Sequence, residues 1–281
     1  MSKSKGNVVT PQHLIDNYGA DPIRYWASRA RLGIDTALDE QVMVQGKKLV
    51  NKIFNASKFV FSMVENSALK GVSDYKAHIT NPMDKSWLYK MDTMMKQASS
   101  NFVTHDYASA LEGVEKRFWD FCDYYLEIVK KRAYSETDTS AVASLMKTID
   151  TFLKAFAPFC PFITEEVYQC RPWGENIGSL HGTSWPKSNE FDCIIAKDST
   201  LYDNASIITS EIRKAKTTAN TSQRTAVSKV VISAPLELQS VLKEGLEDII
   251  NVGNLNQNAL EFKEAKELSV DNVSLDIEAV A

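Results

Sequence analysis

The first seven residues read MSKSKGN. Lys3 carries an ammonium, and the hydroxyls of Ser2 and Ser4 can hydrogen-bond phosphate oxygens. Gly6 permits tight backbone geometry. A mobile loop of this kind can bring positive charge to phosphates as their negative charge grows during bond breaking. That favours a transition state over its ground state. The same string would also suit a flexible Lys/Ser tail.

Other reactive side chains are less grouped. Cys122, Cys160, Cys170 and Cys193 form no CxxC pair and have no histidine at zinc-finger spacing. Reduced, mostly packed thiols are expected. Glu165, Glu166 and Asp271 read as solvated faces, and His181 in SLHGTSWP as a loop-packing residue. Met91, Met94 and Met95 fall at helical spacing and read as packing. Trp119, Tyr124 and Tyr125 could stack unpaired bases, but aromatics on a bundle helix more often serve the core.

These residues sit on a pattern of helices. Thr10-Pro11 reads as an N-cap with Pro at the first helical position, and Gly19 stops that helix. Asp21-Pro22 repeats the start signal, and Gly33 ends the second helix. Asp39 caps a long helix over about 40–66, with Val42, Leu49, Ile53, Ala56, Val60 and Met63 on one side. Asn81-Pro82 opens another, and further helices are expected at about 106–132 and 138–157. Thr164 is expected to cap a short turn after Pro161. Long amphipathic helices joined by short connections predict a helical bundle. After Trp185-Pro186 the texture changes. A helix is expected at about 199–217, strands at 226–233, 258–263 and 272–279, and a helix from Pro235 to about 251. The fold class is therefore mainly α: a helical bundle followed by a small α+β C-terminal module. The domains are expected at 1–38, 39–186 and 187–281.

The net charge of −4 argues against a generic polyanion binder, but the charge is uneven. Residues 1–60 carry a net +4, and each of 61–196 and 197–281 a net −4. No apolar run reaches the length of a bilayer span, and no signal-peptide core comes after the N-terminus. A soluble cytoplasmic protein is expected, with no membrane and no DNA partner.

The opening segment resembles the KMSKS loop of class I aminoacyl-tRNA synthetases, entered one residue late. Met1, Ser2, Lys3 and Ser4 supply the loop, and Lys5-Gly6-Asn7 its usual extension. VVTPQHLIDNYGADPIRYW resembles the segment after that loop in the synthetases for valine, isoleucine, leucine and methionine, through Pro11, Leu14, Ile15, Tyr18-Gly19-Ala20-Asp21 and Arg24. Three stretches resemble the valine branch: GIDTALDE with NKIFNASKFV, FWDFCDYYLEIVKKR, and APFCPFITEEVY with SLHGTSWP. The likeness covers about residues 1–186 and weakens after that, where SEIRKAKT (210–217) is the most suggestive piece. The histidines His13, His78, His105 and His181 form no HIGH-type signature, and no nucleotide fold, editing insertion or long heptad arm is recognisable. An arm-less, archaeal-like or short form is the expectation.

The resemblance implies a bundle of the anticodon-binding type and ATP-dependent attachment of valine to tRNA. Lys3 would be the catalytic residue, within an ATP-binding loop of Met1, Ser2, Lys3 and Ser4. ATP with Mg²⁺ is implied for the full-length enzyme, with none expected bound to this fragment. The implied partners are the valine-accepting tRNA and a missing N-terminal catalytic part. Without that part the chain is expected to be inactive as a ligase. Candidate tRNA-binding residues are Arg24, Asn51, Lys52, Asn55, Lys58, Arg117, Lys131 and Arg132. An isoleucyl or leucyl relative, and a free-standing tRNA-binding module, are the alternatives.

Overall fold

The computed structural model describes residues 11–135, 138–174, 178–187, 190–191 and 199–276. Residues 1–10, with the expected ATP-site loop and the Thr10 cap, lie outside them. Two short helices come first, α1 (Pro11–Tyr18) and α2 (Ala20–Ser28). The bundle comes next: α3 (Glu40–Glu65), α4 (Pro82–Val103), α5 (Tyr107–Asp120), α6 (Leu126–Ala133), α7 (Thr139–Phe156) and α8 (Pro161–Gln169). One π-helical turn, Phe121–Tyr125, joins α5 to α6.

Local chemistry starts these helices where the sequence predicts. Asp39 accepts from the Gln41 amide at 2.9 Å, opening α3. Asn81 accepts from Met83 at 2.8 Å, with Pro82 at the first helical position. Asp106 and Asp138 do the same for α5 and α7. Each side-chain oxygen satisfies amides that have no partner inside the helix.

α7 is the centre, buried on nearly every side by α3, α4, α5, α6 and α8. Its polar residues are inside as well, and they are partnered. Thr148 accepts from the Trp87 indole at 2.9 Å, and Ser144 bonds the Tyr125 hydroxyl at 2.7 Å. Trp87 stacks on Tyr125 with ring centroids 4.6 Å apart. Lys147 reaches Glu190 at 2.7 Å and lies over the Phe191 ring.

The C-terminal part is α9 (Thr200–Thr218), β1 (Val227–Ala234), α10 (Leu236–Glu244), α11 (Leu246–Gly253), β2 (Leu260–Glu264) and β3 (Ser269–Leu275). β1 is the middle strand, parallel to β2 and antiparallel to β3. α9 packs on α4 through Tyr202, which meets Trp87 edge-on at 4.9 Å.

Four expectations are corrected. The second helix ends at Ser28, five residues before Gly33. The helix from Pro235 to about 251 is two helices, broken at Gly245. A Cβ there would come within 2.7 Å of the end of the Met83 side chain and 3.0 Å of the end of Leu201, so glycine stands where these side chains close over the backbone. The last strand is shifted toward the N-terminus, at Ser269–Leu275, and residues 277–281 lie outside the described set. Thr164 does not cap α8. It lies inside that helix, and its hydroxyl donates back to the Cys160 carbonyl at 2.8 Å. No helix among the described residues is long and apolar enough to cross a membrane.

Candidate RNA-binding face

α3 has two faces of opposite character. Met43, Gly46, Leu49, Ile53, Ala56, Val60 and Met63 turn inward at helical spacing and are buried. Lys47, Lys48, Asn51, Asn55 and Lys58 turn outward and are exposed. Steps of three and four residues line them up along about 16 Å of helix. Lys48, Asn51, Asn55 and Lys58 make no side-chain bond to any other described residue. Lys47 reaches only the Asn17 carbonyl, at 3.4 Å. The stripe therefore offers ammonium and amide groups whose hydrogen-bonding capacity is unspent.

Aromatic groups border the stripe on both sides. On one, the Lys52 ammonium lies 5.8 Å from the centre of the Trp119 ring. On the same side Phe59 meets Tyr134 edge-on at 6.2 Å, with the Lys130 ammonium 5.2 Å from the Phe59 ring. Tyr134 is 61% exposed. On the other side Phe54 and Phe61 face α8 across a small cavity. Sequence reasoning missed Lys47, Lys48, Phe54, Lys130 and Tyr134. The signal was present for the first three, which fall at helical spacing from Asn51 and Lys58.

The other candidates are elsewhere, and their groups are engaged, apart from a buried Arg117 Nε that has no hydrogen-bond partner. Arg132 is only 7% exposed. Its guanidinium reaches Asp84 at 2.8 and 3.1 Å, Asp138 at 3.1 Å and Asp248 at 2.7 Å. Four of its five N–H donors are spent on three carboxylates and the group is buried, so Arg132 is a structural residue that ties α11 to α4 and α6. Three carboxylates around one cation crowd negative charge, and burial adds to it. Burial pushes the Asp248 carboxyl up to about 6, while Arg132 pulls the other way. Arg117 is half-buried, pairs with Asp120, and lies 5.9 Å from the centre of the Trp87 ring. Lys131 is exposed but donates to the Asn251 side chain at 2.8 Å. Arg24 donates to the carbonyls of Pro158 and Phe159, at 2.9 and 3.3 Å.

Tyr125 is wholly buried between Asp84 and Ser144 and is a core residue. Tyr124 is half-buried beneath Arg213. In SEIRKAKT, Lys216 is buried and donates to the carbonyls of Gly253 and Gln223, at 2.8 and 3.0 Å. The His181 ring bonds the Pro161 carbonyl at 3.2 Å, as a loop-packing residue does. No His, Cys, Asp and Glu grouping among the described residues could hold a metal ion. Lys3 and the rest of its loop lie outside the described residues.

Residues 84–232 match the family described as the anticodon-binding domain of tRNA ligase. Residues 1–39 match the class I tRNA synthetases described for I, L, M and V. The valine–tRNA ligase of Thermobifida fusca is 39% identical over 275 residues, covering 96% of this chain and 30% of its own length. Those of Leifsonia xyli and Wolbachia pipientis are 38% and 39% identical, covering 98% of this chain and 31% and 32% of their own lengths. The chain thus spans about a third of the length of these curated relatives. A solved LeuRS from Agrobacterium radiobacter K84, in a ternary complex with tRNA and LeuAMS, shares the fold. It has a TM-score of 0.53 at 14% identity and covers 70% of this chain and 23% of its own. With the bundle from α4 onward matched by one family model and residues 1–39 by the other, α3 lying between the two matches, the chain belongs to the class I tRNA synthetases, as a member that carries their anticodon-binding domain.

Proposed function

We propose that this chain is the tRNA-binding C-terminal part of a valine–tRNA ligase and holds the anticodon arm of the valine-accepting tRNA along α3. The observation that supports this most directly is the unpaired stripe of Lys48, Asn51, Asn55 and Lys58. Lysines there would neutralise phosphates and set the register of the RNA. The amides of Asn51 and Asn55 can both donate and accept, as reading of base edges requires. Arg24, Lys52, Arg117 and Lys131 would hold the helices that present this face.

In the complete ligase, Lys3 would stabilise charge on the pyrophosphate as valine is activated by ATP. The described residues offer no metal site, so Mg²⁺ is not assigned to any of them. The partner for this step would be an N-terminal catalytic part carrying the nucleotide fold.

The test is a binding series with valine and isoleucine tRNAs at several salt concentrations. Salt-sensitive binding that prefers the valine tRNA is expected. Preference for the isoleucine tRNA would move the assignment to the isoleucyl branch, and no binding at low salt would overturn it.

A further inference from the structure

The three carboxylates on Arg132 are not held equally. Asp84, on α4, also accepts from the hydroxyls of Ser140 and Tyr125, at 2.7 and 2.8 Å. Asp138 also caps α7 through the amides of Ser140 and Ala141, and its side chain is partly exposed. Asp248, on α11, is 2% exposed. Its one hydrogen bond among the described residues comes from the Arg132 Nε. A single guanidinium cannot balance three negative charges, so the group favours one bound proton. That proton falls on Asp248, the buried carboxylate with the fewest donors. A protonated carboxyl still accepts from Arg132 and sheds the charge that repels Asp84 and Asp138.

The C-terminal part rests on the bundle through two helices, and the two contacts differ in kind. α9 lies on α4, with Tyr202 donating to Asp120 at 2.7 Å and Lys90 pairing with Asp203 at 2.6 Å. Asp120 is itself paired with Arg117, so each carboxylate there has its own cation. α11 lies on α6 through Asp248 and, one turn on, through Asn251, which accepts from Lys131. Only at this second contact do the carboxylates outnumber the cations.

We propose that Asp248 makes α11 a proton-operated clasp: protonated, it holds α11 on α6, and ionised, it lets α11 leave α6 while α9 stays on α4. The charged groups that face it are Arg132 on α6, Asp84 on α4 and Asp138 at the start of α7, with Lys131 of α6 one turn along. Glu247, its neighbour on α11, is exposed. Lys216 of α9 meets the far end of α11, at the Gly253 carbonyl. Docked, Asp248 titrates near 6, and its ordinary value is 3.8. Docking is therefore strongest below about pH 4. It weakens about tenfold per pH unit up to about 6 and then levels off.

The experiment is native-state amide exchange on the whole chain across pH 4.5–7.5, read as protection factors, which remove the intrinsic pH dependence of exchange. α7 reports global unfolding and α11 reports the clasp. Protection of Ile249 to Asn251 should lie below that of α7 and fall at least tenfold between pH 4.5 and 7.5. Asp248→Asn, which cannot ionise, should keep α11 protection at its acid level throughout. A carbon-13 titration of the Asp248 carboxyl in the unaltered chain needs no substitution, and its midpoint should lie near 6. Equal protection in α11 and α7 would mean that α11 leaves only when the whole chain unfolds, and would overturn the clasp. So would α11 protection that ignores pH, or a midpoint near 4.

Discussion

Asp21 and Arg24, one helical turn apart on α2, divide between them the corner where α7 gives way to α8. Asp21 accepts from the amides of Phe162 and Ile163, at 3.2 and 2.8 Å. Arg24 donates to the carbonyls of Pro158 and Phe159. The first two α8 amides after Pro161 are donors that a local cap would ordinarily satisfy. The cap position is Cys160, which makes no such bond, so a carboxylate 141 residues earlier in the chain supplies it. α2, within the segment matched to the class I synthetases, is thereby fastened to the bundle by hydrogen bonds from its side chains to the backbone of that corner.

Asp21→Ala should therefore cost about 1–2 kcal/mol, the range for losing a helix cap. Asp21→Asn should cost less. Burial raises the Asp21 carboxyl above its ordinary value against the pull of its two amide bonds, and asparagine carries no buried charge and keeps one accepting oxygen, although its NH2 would face the other amide N–H. Urea denaturation gives the stabilities. Hydrogen exchange should show faster exchange at Phe162 and Ile163 in the alanine variant, and unchanged protection there would contradict the cap.

Gly46 lets α2 lie close on α3. A Cβ at that position would stand 2.8 Å from a Tyr25 ring carbon and 3.0 Å from the Pro22 Cα. The ring is buried and the second atom is backbone, so neither can give way easily. Gly46→Ala should destabilise by about 1–3 kcal/mol, although alanine is the better helix former. A thermal melt at or above that of the unaltered chain would show that the two helices can separate freely.

The carboxylates around Arg132 predict a dependence on pH. The folded Asp248 carboxyl titrates near 6, above its ordinary value of 3.8, so the fold holds a proton that the unfolded chain has released. The Asp248 contribution to stability is then greatest at low pH and declines as pH rises from about 4 to 6. The groups facing it are Arg132, Asp84 and Asp138. Asp248→Asn should remove that decline, which amounts to at most about 3 kcal/mol. Stabilities of the two proteins measured across pH 4–7 should converge at the acid end. Arg132→Leu should be far worse, by about 3–5 kcal/mol, because it strands buried carboxylates with no counter-charge.

Much of the bundle was legible because its signals are local. Asp39, Asn81 and Asp138 each cap the helix that begins after them, and an inward stripe such as Leu49, Ile53, Ala56 and Val60 needs only spacing to be seen. Spacing cannot show a partner distant in sequence. Lys130, Lys131 and Arg132 are three adjacent cations, yet their fates differ. Lys131 is exposed, while Arg132 is buried by Asp84 and Asp248, at separations of 48 and 116 residues. Asp21 reads as the start of its own helix and instead caps another. On α3 the periodicity could mark Asn51, Asn55 and Lys58 as one face, but that the face is unpaired is a tertiary fact.

The chain alone should not activate valine. Adenylate formation needs a nucleotide pocket as well as the Lys3 loop, and the described residues form a bundle and a small sheet with no nucleotide fold. ATP–pyrophosphate exchange on the purified chain should show no valine-dependent rate. Robust exchange would mean that a nucleotide site exists within these 281 residues.

The α3 stripe makes the most quantitative prediction for tRNA. Lys48 and Lys58 are exposed and unpaired, so each is free to displace counterions from a phosphate. Lys48→Ala and Lys58→Ala should each lower the slope of log affinity against log salt by about 1 and weaken valine and isoleucine tRNAs alike. Asn51→Ala and Asn55→Ala should leave that slope unchanged, since amides carry no charge. If they read bases, they should instead narrow the preference between the two tRNAs, at about 1–3 kcal/mol per base contact. Arg24→Ala is the contrast, because its guanidinium is held on the Pro158 and Phe159 carbonyls. It should leave the slope alone when measured well below its melting temperature. A slope lost with Arg24 and kept without Lys48 and Lys58 would place the RNA on the α2 face instead of α3.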